Sequence, residues 1–208
     1  IGSHTAEFAS GVLNSIAIGP WALSASGTGG GDNTAVGSGR IIAIGREAAC
    51  EMTNSASFTA IGFMAGRGVD SVFGSTMIGT QAGYNSSDVS YSIAIGYQVG
   101  NFSGVRQSEF IGATAGGDAS NMSNVTAIGR SAAYAADDID YSVLIGSYAG
   151  ELASGLQSSI AIGKMALRNS YPNVATKNTG VIAIGEEAGA YAGFGLSNVI
   201  AIGYQAGY

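Results

Sequence analysis

The chain has 208 residues, of which 34 are glycine and only 11% are charged, and its formal net charge is −6. An acidic chain lacks the basic footprint that attracts nucleic acid, and its apolar runs of about five residues fall far short of the roughly 20 a membrane-spanning helix needs, so neither partner is expected. One Cys excludes an internal disulfide, and a charged fraction well below the roughly 25% of an average soluble protein leaves solubility to hydrogen-bonded backbone and Ser/Asn/Thr loops.

The dipeptide Ile-Gly recurs twelve times, with glycines at 2, 19, 45, 62, 79, 96, 112, 129, 146, 163, 185 and 203. A fixed period of this kind marks a repeat architecture, here one elongated domain over 1–208 whose unit is about 17 residues. The first full unit, Ser15 to Ala22, reads Ser-Ile-Ala-Ile-Gly-x-x-Ala. A 26-residue step then separates Gly19 from Gly45, and its excess length reads as a loop insertion near 24–40. From Gly45 to Gly163 the steps are 17, 17, 17, 16, 17, 17 and 17. A 22-residue step to Gly185 places a second insertion near 167–180, and an 18-residue step leads to Gly203.

Within a unit, β-branched runs such as Ile41–Ile44, Val125–Ile128 and Val181–Ile184 predict a short strand ending on a glycine at a tight corner. Gly19, Gly45, Gly62, Gly79, Gly96, Gly112, Gly129, Gly146, Gly163, Gly185 and Gly203 are the expected structural corners. Counting from each, +3 is small, usually alanine; +4 is often a second glycine; and +10 is apolar in Val72, Val89, Met122, Ile139 and Leu156, which predicts a second, weaker strand. Positions +1 and +2 follow no rule and are expected to face water. In the first strand side chains alternate, so −1 and −3 share one face and −2 and −4 the other. The Ile-rich −1/−3 face is expected to be the coil interior. The −2/−4 face, Ala or Ser in most units, is expected to pack against other chains. The fold class is therefore all-β, a β-solenoid stacked from narrow coils of about 17 residues.

Chemistry is hard to find. His4 is the only histidine and lies beside the first residue, no His/Cys/Asp/Glu spacing resembles a metal site, and no catalytic, metal or cofactor residue is assigned. Gly29-Gly30-Gly31-Asp32 and Gly116-Gly117-Asp118 lack the nonapeptide period of calcium-binding repeats. Glu186-Glu187 and Asp137-Asp138 are strand neighbours that point apart. Gly37-Ser38-Gly39 is followed by Arg40 and strand rather than by a lysine and a helix. Cys50, beside Ala48-Ala49, reads as a buried thiol. The ten tyrosines are the most suggestive exposed groups, because each joins a large apolar face to a hydrogen-bonding tip. Trp21, Tyr97, Tyr148 and Tyr204 at +1 and +2, with Arg168, Tyr171 and Lys177 in the second insertion, are the receptor-binding candidates.

The block Ser-Ile-Ala-Ile-Gly-x-x-Ala resembles the head repeats of trimeric autotransporter adhesins of the YadA-like type, and Ile200–Tyr208 and Ala94–Gly100 resemble the Ala-Ile-Gly-Tyr-Gln-Ala-Gly repeats of phage tail fibres. The resemblance runs over essentially the whole chain. It implies a left-handed parallel β-roll, a side-by-side homotrimer, and multivalent adhesion to a host-cell glycan or protein from an extracellular surface or virion tail fibre. The adhesin heads use a shorter unit than this one. The opening at Ile1 and the close at Gly207-Tyr208, inside a repeat, suggest a fragment of a longer fibre. The alternatives are a purely structural spacer or end-to-end stacked extracellular filament and, more remotely, a hexapeptide-type acyltransferase. The last needs its motif about three times per coil and a catalytic histidine, so the chain is not expected to be an enzyme. Ice binding finds no threonine ladder, since Thr59, Thr76 and Thr126 are read at inconsistent strand positions and most units carry none.

Overall fold

A computed structural model of the protein describes residues 1–7, 10–12, 14–24, 34–170, 177–191 and 196–207, with backbone alone at 10–12 and 34–39. The described residues form no helix, and all paired strands are parallel. The chain divides into two compact units, Ile1–Ser103 and Gly104–Tyr208.

In the first unit, β1 (Ser10–Val12) pairs with β3 (Thr34–Gly39), which falls within the span 24–40 expected to be an inserted loop. The Ile-Ala-Ile strands β2 (Ile16–Ile18), β4 (Ile42–Ile44), β5 (Thr59–Ile61), β6 (Thr76–Ile78) and β7 (Ile93–Ile95) stack in that order. In the second unit, β8 (Glu109–Ile111), β10 (Thr126–Ile128), β12 (Val143–Ile145), β14 (Ile160–Ile162), β16 (Ile182–Ile184) and β17 (Ile200–Ile202) stack likewise. The weaker strand predicted around +10 is a second sheet there: β9 (Ser120–Ser123), β11 (Asp137–Asp140), β13 (Leu156–Gln157) and β15 (Asn178–Thr179). Each unit is thus a β-solenoid of about 17-residue coils, as the period predicts. Turns are bonded from rung to rung as well as strands: Glu47 N–H donates to Pro20 O at 2.9 Å, Met64 to Arg46 at 2.9 Å and Gln81 to Phe63 at 2.8 Å.

The corner glycines follow from this stacking. Each has φ between +125° and +142°, and a Cβ on Gly146 would lie 2.7 Å from the carbonyl carbon of Gly163, one rung on. Backbone meets backbone there, so no side chain can yield. The left-handed turns beyond the corner tolerate other residues, including Met64, Gln81, Thr114 and Leu167, at φ near +55°.

The interior differs from the sequence expectation. Ala43, Ala60, Met77, Ala94, Phe110, Ala127, Leu144, Ala161 and Ala183 at −2 are buried, whereas the −1 and −3 residues on either side are half-buried or exposed. The −2/−4 face is the coil interior, and the isoleucines look outward. The reason is volume. A coil of two short strands and tight turns is too thin for two ranks of isoleucine, but it accepts alanine at −2 with the alanine of +3 and the apolar groups of +7 and +10, such as Val69 and Val72.

Where −2 is large, another position shrinks. A Cβ on Gly83 would meet Met77 Cε at 2.7 Å, and one on Gly150 would meet Leu144 Cδ1 at 2.7 Å. Where −2 is alanine, as at Ala161, +4 can be Leu167. The serines at −4 complete the interior. Ser142 Oγ donates to Asp140 O at 2.8 Å and accepts from Ser159 N–H of the next rung at 3.1 Å, and Ser108 does the same with Arg106 O and Val125 N–H. A buried hydroxyl is affordable there because both of its hydrogen-bonding roles are filled.

Candidate functional site

The outward sheet face is a continuous, mostly apolar feature of each unit. In the first unit the −3 column reads Ile16, Ile42, Thr59, Thr76, Ile93 and the −1 column Ile18, Ile44, Ile61, Ile78, Ile95; every one is β-branched and uncharged. In the second unit −1 is isoleucine from Ile111 to Ile202, and −3 runs Glu109, Thr126, Val143, Ile160, Ile182, Ile200. The strands pair residue for residue with no bulge in these sheets, so the side chains form two ranks repeating at the strand spacing of roughly 4.8 Å. Ile16 is 51% exposed, Ile42 37% and Ile162 39%. Apolar patches this continuous on a protein surface mark contact sites. The three threonines Thr59, Thr76 and Thr126 all fall in the −3 column, too few for a threonine ladder.

The +1 and +2 corner, expected to face water, contains no buried residue among those described. Its aromatics are nevertheless engaged. Trp21 stacks on His4 with centroids 5.5 Å apart and planes 4° apart, while the Arg46 guanidinium lies 5.8 Å from the Trp21 ring and 5.7 Å from that of Phe63. Both faces of the indole are therefore occupied by neighbouring rungs. Tyr148 is similarly placed between Arg130 at 4.6 Å and Arg168 at 5.7 Å. Arg168 pairs with Glu151 at 2.6 Å, and Lys177 donates to Asp138 at 2.7 Å, which raises its pKa. Tyr97 and Tyr204 are exposed, at 55% and 70%. Tyr171 lies outside the described residues, as do 25–33 of the first insertion and 171–176 of the second.

The candidates thus do not converge. Tyr148 and Arg168 share a stack in the second unit, Trp21 belongs to another in the first, and Lys177 joins the aspartates of β11. The sequence reading did not single out Phe63 and Arg46, which complete the Trp21 stack, or Tyr91 and Tyr141, exposed at the left-handed −5 turn. Their shared offset from the corner glycine was the available signal.

No group of three or more His, Cys, Asp or Glu side chains able to hold a metal occurs among the described residues. Glu186 bonds Lys164 while Glu187 accepts from Gln205, and Asp137 accepts from Ser120 while Asp138 takes Lys177, so each carboxylate pair is divided between separate partners. Cys50 is buried, and burial foremost, with the Glu51 charge second, pushes its thiol up to about 11. Gly116-Gly117-Asp118 lies in the turn after β8, where the Gly116 and Gly117 amides bond Ala132 and Thr114 carbonyls. No helix among the described residues is long and apolar enough to cross a membrane. No protein-family description, curated protein or solved structure matches the chain.

Proposed function

We propose that the chain is a structural and adhesive segment of a multimeric extracellular fibre, on a cell surface or a virion tail, whose copies associate side by side as a homotrimer. The observation that carries this reading is the outward isoleucine face. Most of these isoleucines are half-buried, so completing the burial of one contributes a fraction of the about 1.5–3 kcal/mol of a fully exposed side chain, and ranks of them repeated on every rung sum to a drive to associate. The surface that best fits a comb of β-branched side chains with a one-rung pitch is a second comb of the same pitch, and a copy of this chain carries one. The self-contact inferred from the sequence is thereby kept but moved from the −2 alanines to the −1 and −3 residues.

Adhesion to a host glycan or protein would use the excursions near 24–40 and 167–180 and the exposed Tyr97 and Tyr204, each presented once per copy, so that weak contacts sum. The purely structural spacer is the second reading, and one observation favours it: Trp21 and Tyr148 spend their ring faces on neighbouring rungs rather than offering them to a ligand. Sedimentation or native mass spectrometry of the whole chain tests the assembly, for which a trimer is expected and a stable monomer is incompatible. Trimers that attach to cells, and lose attachment when both excursions are shortened, support adhesion; trimers that never attach leave the spacer.

A further inference from the structure

A uniform ladder has a weakness as an interface: it looks the same after a shift of one rung. Two faces made only of isoleucine pairs could slide along the axis by one strand spacing with almost no change in packing, as repetitive strands lose their register when nothing marks it. In the second unit the −1 column is such a surface, isoleucine on every rung from Ile111 to Ile202. The −3 column is not. It carries one charge, Glu109 on β8, then Thr126 and Val143, and only then Ile160, Ile182 and Ile200. Glu109 is exposed, has no ion-pair partner among the described residues, and projects from the same face as Thr126 beside it.

We infer that Glu109 is the register mark of this face: it selects the axial alignment in which copies of the chain meet rung for rung. Where copies run parallel and in register, Glu109 meets Glu109 at one level, and the carboxylates can share water or a dissolved cation around the axis. In an alignment slipped by one rung a carboxylate leaves that shared level and faces Thr126 with the flanking isoleucine rank of another copy, and in a longer slip it faces Val143 or isoleucine, where an unpaired charge removed from water is costly. Repulsion between like charges at one level is screened as long as they stay wet, whereas desolvation against isoleucine is not. Single polar residues in otherwise apolar interfaces act in this way elsewhere, specifying alignment at a cost in stability. The inference rests on the self-association reading above.

The test compares the full chain with its Glu109→Ile variant, which makes −3 on β8 the same as on β14, β16 and β17 and so suits the fold. In both, Cys50→Ala removes the native thiol. Chains carrying Thr126→Cys and chains carrying Val143→Cys are mixed and reassembled, then oxidised to direct disulfides, whose Cβ–Cβ reach of about 4 Å is shorter than one rung, and the linked pairs are counted by mass spectrometry. With Glu109 present, 126–126 and 143–143 links are expected to exceed 126–143 links at least tenfold. With Glu109→Ile, the mixed link is expected to rise several-fold, and sedimentation to broaden into staggered, larger species. An assembly of unchanged mass with the same link ratio in both backgrounds overturns the register assignment while leaving self-association intact. A native chain that sediments as a monomer and yields no links overturns self-association itself, and the register assignment with it.

Discussion

The two faces of one three-residue strand behave as different materials. In β12 the middle residue, Leu144, is fully buried, while Val143 and Ile145 on either side are half-buried. The inner face is governed by volume: −2 varies from alanine to phenylalanine, and the enlargements at Met77 and Leu144 occupy the space that a Cβ on Gly83 or Gly150 would need. The outer face is governed by sameness, with isoleucine at −1 throughout. A residue can thus be constant because it repeats on an outward face with no gap to fit, and variable because it fills a particular gap inside its own coil.

This contrast can be broken most severely at the corner. Gly146→Ala forces a Cβ onto the Gly163 backbone at a φ of +135°, and is expected to cost about 4 kcal/mol or more, visible as loss of the chain's cooperative unfolding in urea. Next comes the inner face itself: Leu144→Ala is expected to destabilise the single chain by about 3 kcal/mol. Ile162→Ala on the outer face should cost the single chain about 1 kcal/mol and weaken association roughly tenfold. Equal effects of these two on unfolding of the dissociated chain would erase the distinction between the faces.

Alkaline titration probes the interior at Cys50. Its thiol is pushed up from 9.0 to about 11, chiefly by burial, so the unfolded chain gives up this proton first. Stability should be intact below pH 9, fall by roughly 2 kcal/mol as pH rises from 9 to 11, and level off above the folded value. Cys50→Ala should remove that drop, and an unchanged pH profile in the variant would assign it elsewhere.

The smallest effect is a coupling. Gly83→Ala brings a Cβ against Met77, and pairing it with Met77→Ala should recover about 1 kcal/mol of the loss relative to the sum of the two single changes. Strict additivity would mean that −2 and +4 do not share space.

That coupling was only partly legible in the sequence. Large −2 residues at Met77, Phe110 and Leu144 are followed six residues later by Gly83, Gly116 and Gly150, and Ala127 and Ala161 by Ala133 and Leu167, but Ala60, Ala94, Ala183 and Ala201 are followed by glycine as well, so the pattern did not by itself place −2 inside the coil. Hydrophobicity alone favoured the opposite choice, because isoleucine is the more apolar residue, and the assumption that the most apolar rank must be internal fails when a coil is too thin to hold it. Of the candidate site residues, the exposure of Tyr97 and Tyr204 followed from their offset from the corner. The stacking of Trp21 and Tyr148 did not, since it depends on Arg46, His4, Arg130 and Arg168 falling on adjacent rungs at the same corner.

By itself the chain's order of residues determined the period, the stacked rungs and the position of every corner, because a rung-to-rung hydrogen-bonded backbone permits only glycine at one point and repeats that demand each time. Which side of the strand became the core was decided only when the coil closed. Closure sets the interior volume, and that volume admits alanine, serine and an occasional larger side chain while leaving two ranks of isoleucine outside.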